Sequence, residues 1–142
     1  PSFAVERSQE IACVLKNANF KYPVIMDGMA LKTNKILRNN LECLKDSKAF
    51  LKTLDELTIV KNWKQRKKIL DTPSVIIAPA GMMVGGLSSF YKEGVIMNEK
   101  NAISLVSFQV EGTPGRILLD KKMIRVNNKL KKIKGISSRI SN

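Results

Sequence analysis

Residues 72–94, TPSVIIAPAGMMVGGLSSFYKEG, and residues 101–116, NAISLVSFQVEGTPGR, decide how this chain is read. Ser74 to Ala78 is a continuous apolar run rich in β-branched residues, the pattern of a strand buried on both faces. It enters a glycine loop, Ala78 to Gly86, from which a helix carrying Leu87, Phe90 and Tyr91 on one face departs. Ile103 to Phe108 reads as another central strand, followed by a second glycine loop, Gln109 to Arg116. The span from Thr72 to Tyr91 holds no charge for 20 residues, the length of a membrane helix, but Pro73, Pro79, Gly81, Gly85 and Gly86 would break one repeatedly. Strand, loop and helix in this order are the grammar of an α/β fold.

Upstream, the pattern repeats. Pro1 to Val5 reads as a strand. Arg7 to Asn19 places Ile11, Val14, Leu15 and Ala18 at helical spacing. Tyr22 to Met26 is a short strand stopped by Asp27-Gly28, where Asp27 is placed to cap a helix burying Met29, Thr33, Ile36 and Leu37. Residues 41 to 71 read as helical, with Ser47 a candidate cap and a basic second half, KNWKQRKKIL, around Trp63. Downstream, Met123–Val126 and Leu130–Ile136 read as strands joined by Asn127-Asn128, two residues that tolerate a hairpin turn. The expected fold is therefore α/β: a Rossmann-like three-layer αβα arrangement with a mainly parallel sheet and a basic C-terminal β-hairpin. With 142 residues and no low-complexity linker, the whole chain reads as one domain, 1–142.

Charge narrows the partners. Lys and Arg number 25 against 12 acidic residues, a net +13, which favours a polyanion. From Lys121 to the end there are 8 basic residues and no acidic one. Cys13 and Cys43 lack metal spacing and read as free thiols of a reducing cytoplasm. The opening PSFAVERSQE carries no charged n-region or small-residue cleavage site of a signal peptide, no membrane partner is expected, and the missing initiator methionine reads as a segment of a larger parent.

The two loops carry the candidate chemistry. Gly81, Gly85 and Gly86 sit at the carboxyl end of a strand and open a helix, where backbone N–H groups and the helix dipole favour an anion. Neither a Walker loop nor a GxGxxG spacing is present, so a tight turn with close helix packing is the equal alternative. Gln109, Gly112, Thr113, Gly115 and Arg116 offer backbone donors, a hydroxyl and a guanidinium suited to phosphate, with a structural ion pair as the rival role for Arg116. Trp63, Phe90 and Tyr91 can stack on bases, but their helical spacing favours core packing. With no histidine in the chain, neither a catalytic zinc site nor a His-activated nucleophile can be assembled from it.

Four ordered blocks resemble those of the β-CASP domain of metallo-β-lactamase-type nucleases. Pro1–Val5 with Arg7 and Gln9-Glu10 resembles P-x-F-A-x-G-R-x-Q-E, and Tyr22 through Ala30 resembles P-V-Y-x-D-G-M. Ile77–Gly86 is similar to I-A-T-S-G-M-L-x-G-G, and Phe108–Arg116 to Y-Q-A-x-G-T-x-G-R. The family includes archaeal and eukaryotic cleavage and polyadenylation specificity factors, ribonuclease J and Artemis-type DNA nucleases; its RNA-processing members fit best. The resemblance implies a Rossmann-like cap inserted in a metallo-β-lactamase domain, with single-stranded RNA and zinc held between the two. It makes residues 121–142 a basic hairpin leading back to the parent domain, and puts Arg7, the loop residues, Lys131 and Lys132 along the RNA path. Glu6 stands where the family has glycine, and Pro79-Ala80 stand where it has Thr-Ser. Gly135–Arg139 resembles G-F-S-A-H, so Arg139 stands at a metal-site histidine and implies a nuclease-inactive or altered parent. The expected function is an RNA-binding cap of a metal-dependent ribonuclease or its degraded homologue, inactive alone. Two alternatives stay open: a nucleotide or small-molecule domain using the same loops, and a dimerisation module presenting Met82, Met83 and Val84.

Overall fold

The computed structural model describes residues 1–140. It divides into two units: Ala4–Ala78, and Pro1–Phe3 together with everything from Pro79 onward.

In the Ala4–Ala78 unit, the apolar runs become a parallel sheet. Strand β1 (Val24–Met26) lies between β2 (Thr58–Ile59) and β3 (Val75–Ile77), in register Ile25↔Thr58 and Ile25↔Ile76. As the central strand it is sealed, with Ile25 and Met26 buried. Helices α1 (Arg7–Asn17) and α2 (Met29–Arg38) contribute Ala12 and Ala30 to a core closed by Met26 and Ile77.

In both helices the fully buried positions are not the apolar ones that the spacing picks out, although Ile11 and Leu15 of α1 pack partly buried against this core. In α1 the buried residues are Ser8, Gln9 and Ala12, while Val14 is 54% exposed. In α2 Ala30 and Asn34 are buried, and Met29 and Ile36 are 65% and 63% exposed. The reason is a polar chain through the core. Gln9 Nε2 donates to Asn34 Oδ1 at 2.7 Å, and Asn34 Nδ2 donates to Met26 Sδ at 3.1 Å. Buried amides hold such a position only when partnered, and apolar periodicity cannot register them.

The expected caps also shift. Gly28, at φ 76°, is the N-cap of α2; the Asp27 carboxylate instead accepts from Gly28 N and from Arg66. Asp46, not Ser47, caps α3 (Ser47–Glu56) by accepting from Ala49 N at 2.9 Å. The stretch expected to be one helical region is broken into a 3₁₀ turn at Leu41–Cys43, α3, the edge strand β2, and α4 (Trp63–Ile69). Two exposed residues are too few to show strand alternation. Pro1–Val5 forms no strand. Its end is a turn in which Arg7 N donates to Val5 O at 2.8 Å around Glu6.

In the other unit, α5 (Gly86–Ile96), β4 (Ala102–Leu105), α6 (Pro114–Lys121), β5 (Met123–Val126), β6 (Lys129–Lys132) and β7 (Ile136–Arg139) follow in order. Strands β4 and β7 pair in parallel, with Leu105 opposite Arg139; β5 and β6 pair antiparallel, with Val126 opposite Lys129. Asn127 (φ 48°) and Asn128 (φ 61°) make the turn, since asparagine tolerates the left-handed region. The run expected as one strand to Ile136 therefore serves two partners. Met83, Ile96, Ile103, Leu105, Leu118 and Ile124 form the core. The expected α/β class with parallel pairing is borne out. No helix among the described residues is long and apolar enough to cross a membrane.

Candidate nucleic-acid interface

The two glycine loops are bound to each other. Gln109, 2% exposed, donates through Nε2 to Gly81 O at 3.0 Å and to Ser107 O at 2.8 Å. Two carbonyls on one side identify that atom as the amide nitrogen. A second link runs from Gly115 N to Met82 O at 3.1 Å. A Cβ on Gly115 would overlap Gln109 Oε1, so the contact requires glycine.

The first loop is folded on itself ahead of α5. Ser88 N donates to Pro79 O and Ser88 Oγ to Ala80 O, both at 2.7 Å, and Ser89 Oγ donates to Met83 O at 2.8 Å. Gly86 combines φ 66° with a site where a Cβ would lie 2.8 Å from Pro79 O. The carbonyls of Pro79, Ala80 and Met83 are thereby consumed, while Gly85 and Gly86 stay exposed at the helix start. In the second loop Thr113 caps α6, accepting from Arg116 N, and its hydroxyl donates to Val110 O at 2.6 Å. Gly112 is exposed at φ 79°.

The candidate residues thus separate by environment. Gly81, Gln109 and Gly115 are buried and tie the loops, whereas Gly85, Gly86, Gly112 and Arg116 reach solvent and Thr113 is half-buried. Arg116 pairs with Asp120 through Nε at 2.7 Å, and that hydrogen bond and charge raise its pKa above the ordinary guanidinium value. Both side chains are about half exposed, so solvent screens the pair and it ties Arg116 only weakly. Lys131 and Lys132 lie exposed on β6, a strand open to solvent along its length. Arg7 lies in the other unit, at the start of α1, with Glu10 at 2.6 Å. Met83, considered as an interface residue, is 1% exposed and belongs to the core; Val84 is exposed.

The Beta-Casp domain model matches residues 8–118. The chain belongs to the Beta-Casp family. It is 40% identical over 120 residues to RNase aCSPSF2 of Saccharolobus solfataricus, covering 84% of this chain and 24% of that protein. It is 33% identical over 124 residues to Probable RNase MJ4 of Methanocaldococcus jannaschii, covering 84% and 29%. It is 34% identical over 130 residues to Transcription termination factor FttA of Pyrococcus horikoshii, covering 82% and 20%. The chain spans about a quarter of the length of these curated relatives.

The zinc that the β-CASP resemblance implies does not fit the residues present. Among the described residues no three His, Cys, Asp or Glu side chains gather, and the Arg139 side chain is a cation that offers a metal no ligand.

Trp63 is where sequence reasoning missed most. Expected in the core, it is 56% exposed on α4. The signal available was the set of basic neighbours, Lys61, Lys64, Lys67 and Lys68, which do not surround a core residue.

Proposed function

We propose that this β-CASP chain is the RNA-contacting part of an RNA-processing nuclease or of a catalytically degraded relative, and that it cleaves nothing alone. The observation that carries the reading is the joining of the two glycine loops by Gln109 and Gly115, which holds the exposed Gly85, Gly86, Gly112 and Arg116 in one unit on a +13 chain, with Thr113 spent on closing its own loop. Preset donors of this kind suit phosphate oxygens because little further ordering is needed on binding. Arg139 in place of a histidine supports the degraded alternative. A metallo-β-lactamase domain elsewhere in the parent would supply zinc and its activated water.

The test is titration of labelled U-rich single-stranded RNA with the 142-residue chain at several salt concentrations. The reading expects binding that weakens steeply with salt, and intact RNA in the presence of zinc or magnesium. Binding without salt dependence overturns the electrostatic basis. Cleavage by this chain overturns the assignment of catalysis elsewhere. Saturable binding of a mononucleotide with no RNA binding favours a nucleotide domain using the same loops.

A further inference from the structure

The chain's one tryptophan stands on a support that the two loops do not use. Trp63 opens α4, where Asn62 Oδ1 accepts from Gln65 N at 3.0 Å and Gln65 Oε1 accepts from Lys61 N at 2.7 Å. This reciprocal pair fixes the start of the helix. The Arg66 guanidinium lies 4.7 Å from the centre of the indole ring. Arg66 is in turn gripped by Asp27 through Nε at 2.7 Å and Nη2 at 2.9 Å. Asp27 follows the central strand β1 and its side chain is 1% exposed. The ring is therefore backed by a cation anchored in the body of the unit, yet more than half its surface is in water.

Lys61, Lys64, Lys67 and Lys68 are all exposed, and no acidic residue occurs between Glu56 and Asp71. On a helix Trp63 and Lys67 are neighbours at i,i+4, as are Lys64 and Lys68. An aromatic face held rigid by arginine, flanked by unneutralised ammonium groups, matches a nucleobase and its adjoining phosphates. A purely acidic partner would use the lysines and leave the indole without a role.

We infer that Trp63 and the lysines of α4 form a second contact for single-stranded nucleic acid, in which a base stacks on the indole. The inference rests on the RNA reading above but on a different surface, so the two can fail separately. The single tryptophan is its own reporter. Titration of the 142-residue chain with a uridine oligonucleotide should quench its emission, while inorganic polyphosphate should bind without comparable quenching. Trp63→Leu should weaken oligonucleotide binding, followed by a label on the RNA, about tenfold, and Trp63→Phe much less. Lys64→Glu with Lys68→Glu keeps the indole and should also weaken binding, which guards against Trp63→Leu acting through misfolding; circular dichroism checks each variant. Oligonucleotide binding with unchanged emission, equal quenching by polyphosphate, or full affinity in Trp63→Leu overturns the inference. If emission is unchanged while Arg116→Ala impairs binding, the loop reading stands and this one falls. If the oligonucleotide does not bind at all, both fall.

Discussion

Asp27 and Arg66, 39 positions apart in sequence, form a two-point ion pair in which the acid is 1% exposed and the base 16%. Removing one member leaves the other charge stranded in a poor solvent. Arg66→Met should lower the stability of the Ala4–Ala78 unit by about 3 kcal/mol, because a buried carboxylate without its partner is costly. Asp27→Asn combined with Arg66→Met should recover part of that loss. Urea unfolding of the two single variants and the double variant, treated as a cycle, measures the coupling; additive losses would show that the pair is not a unit.

Glu6 offers a change in the opposite direction. It sits at φ 65°, ψ −66°, with Arg7 N donating to Val5 O across it, a γ-turn that a side chain strains. The side chain is exposed, and glycine adopts this region freely. Glu6→Gly should raise stability by about 1 kcal/mol, the relieved strain exceeding the added chain entropy. A thermal melt showing an unchanged or lower midpoint would refute this.

The glycines of the second loop should respond unequally. Gly115→Ala drives a methyl into Gln109 and should separate the loops, lowering stability by about 2 kcal/mol and weakening RNA binding with it. At Gly112 a Cβ meets nothing within 4 Å, and only φ 79° resists, so Gly112→Ala should cost about 1 kcal/mol. Denaturation midpoints that rank the two the other way would refute the role of Gly115 in joining the loops.

The hairpin lysines are a test of electrostatics alone. Lys131 and Lys132 are exposed on β6. If both contact phosphates, Lys131→Ala with Lys132→Ala should reduce the slope of log K against log salt by roughly 1.4 for a single strand. An unchanged slope excludes β6 from the RNA path.

The parallel pairing of β1 with β3 was legible because continuous apolar runs bounded by loops carry their own signal, whereas β4, read as another central strand, pairs only with β7 in a sheet of its own. The glycine loops were legible too, although not the separation of Gly81 and Gly115, which pack, from Gly85, Gly86 and Gly112, which face water. Helix faces were misread wherever a buried amide decided the packing, as with Gln9 and Asn34. Asp27 looks like a helix cap in sequence because its true partner, Arg66, lies far along the chain. Trp63 was placed in the core because helical spacing records which residues share a face and not which face meets solvent.

Phe3 has a consequence for how the chain assembles. Its ring lies against Gly81, so that a Cβ there would meet it at 3.0 Å, and both belong to the same unit. Residues 4–78 are thus an insertion within that unit's sequence. During synthesis the Ala4–Ala78 segment is complete before Gly81 exists, whereas Phe3 must wait for the polymer to grow past its eventual neighbour. Closing so long a loop between unstructured ends carries an entropic penalty of roughly 4 kcal/mol. Structure formed first within the inserted segment would shorten that search by bringing its two ends together.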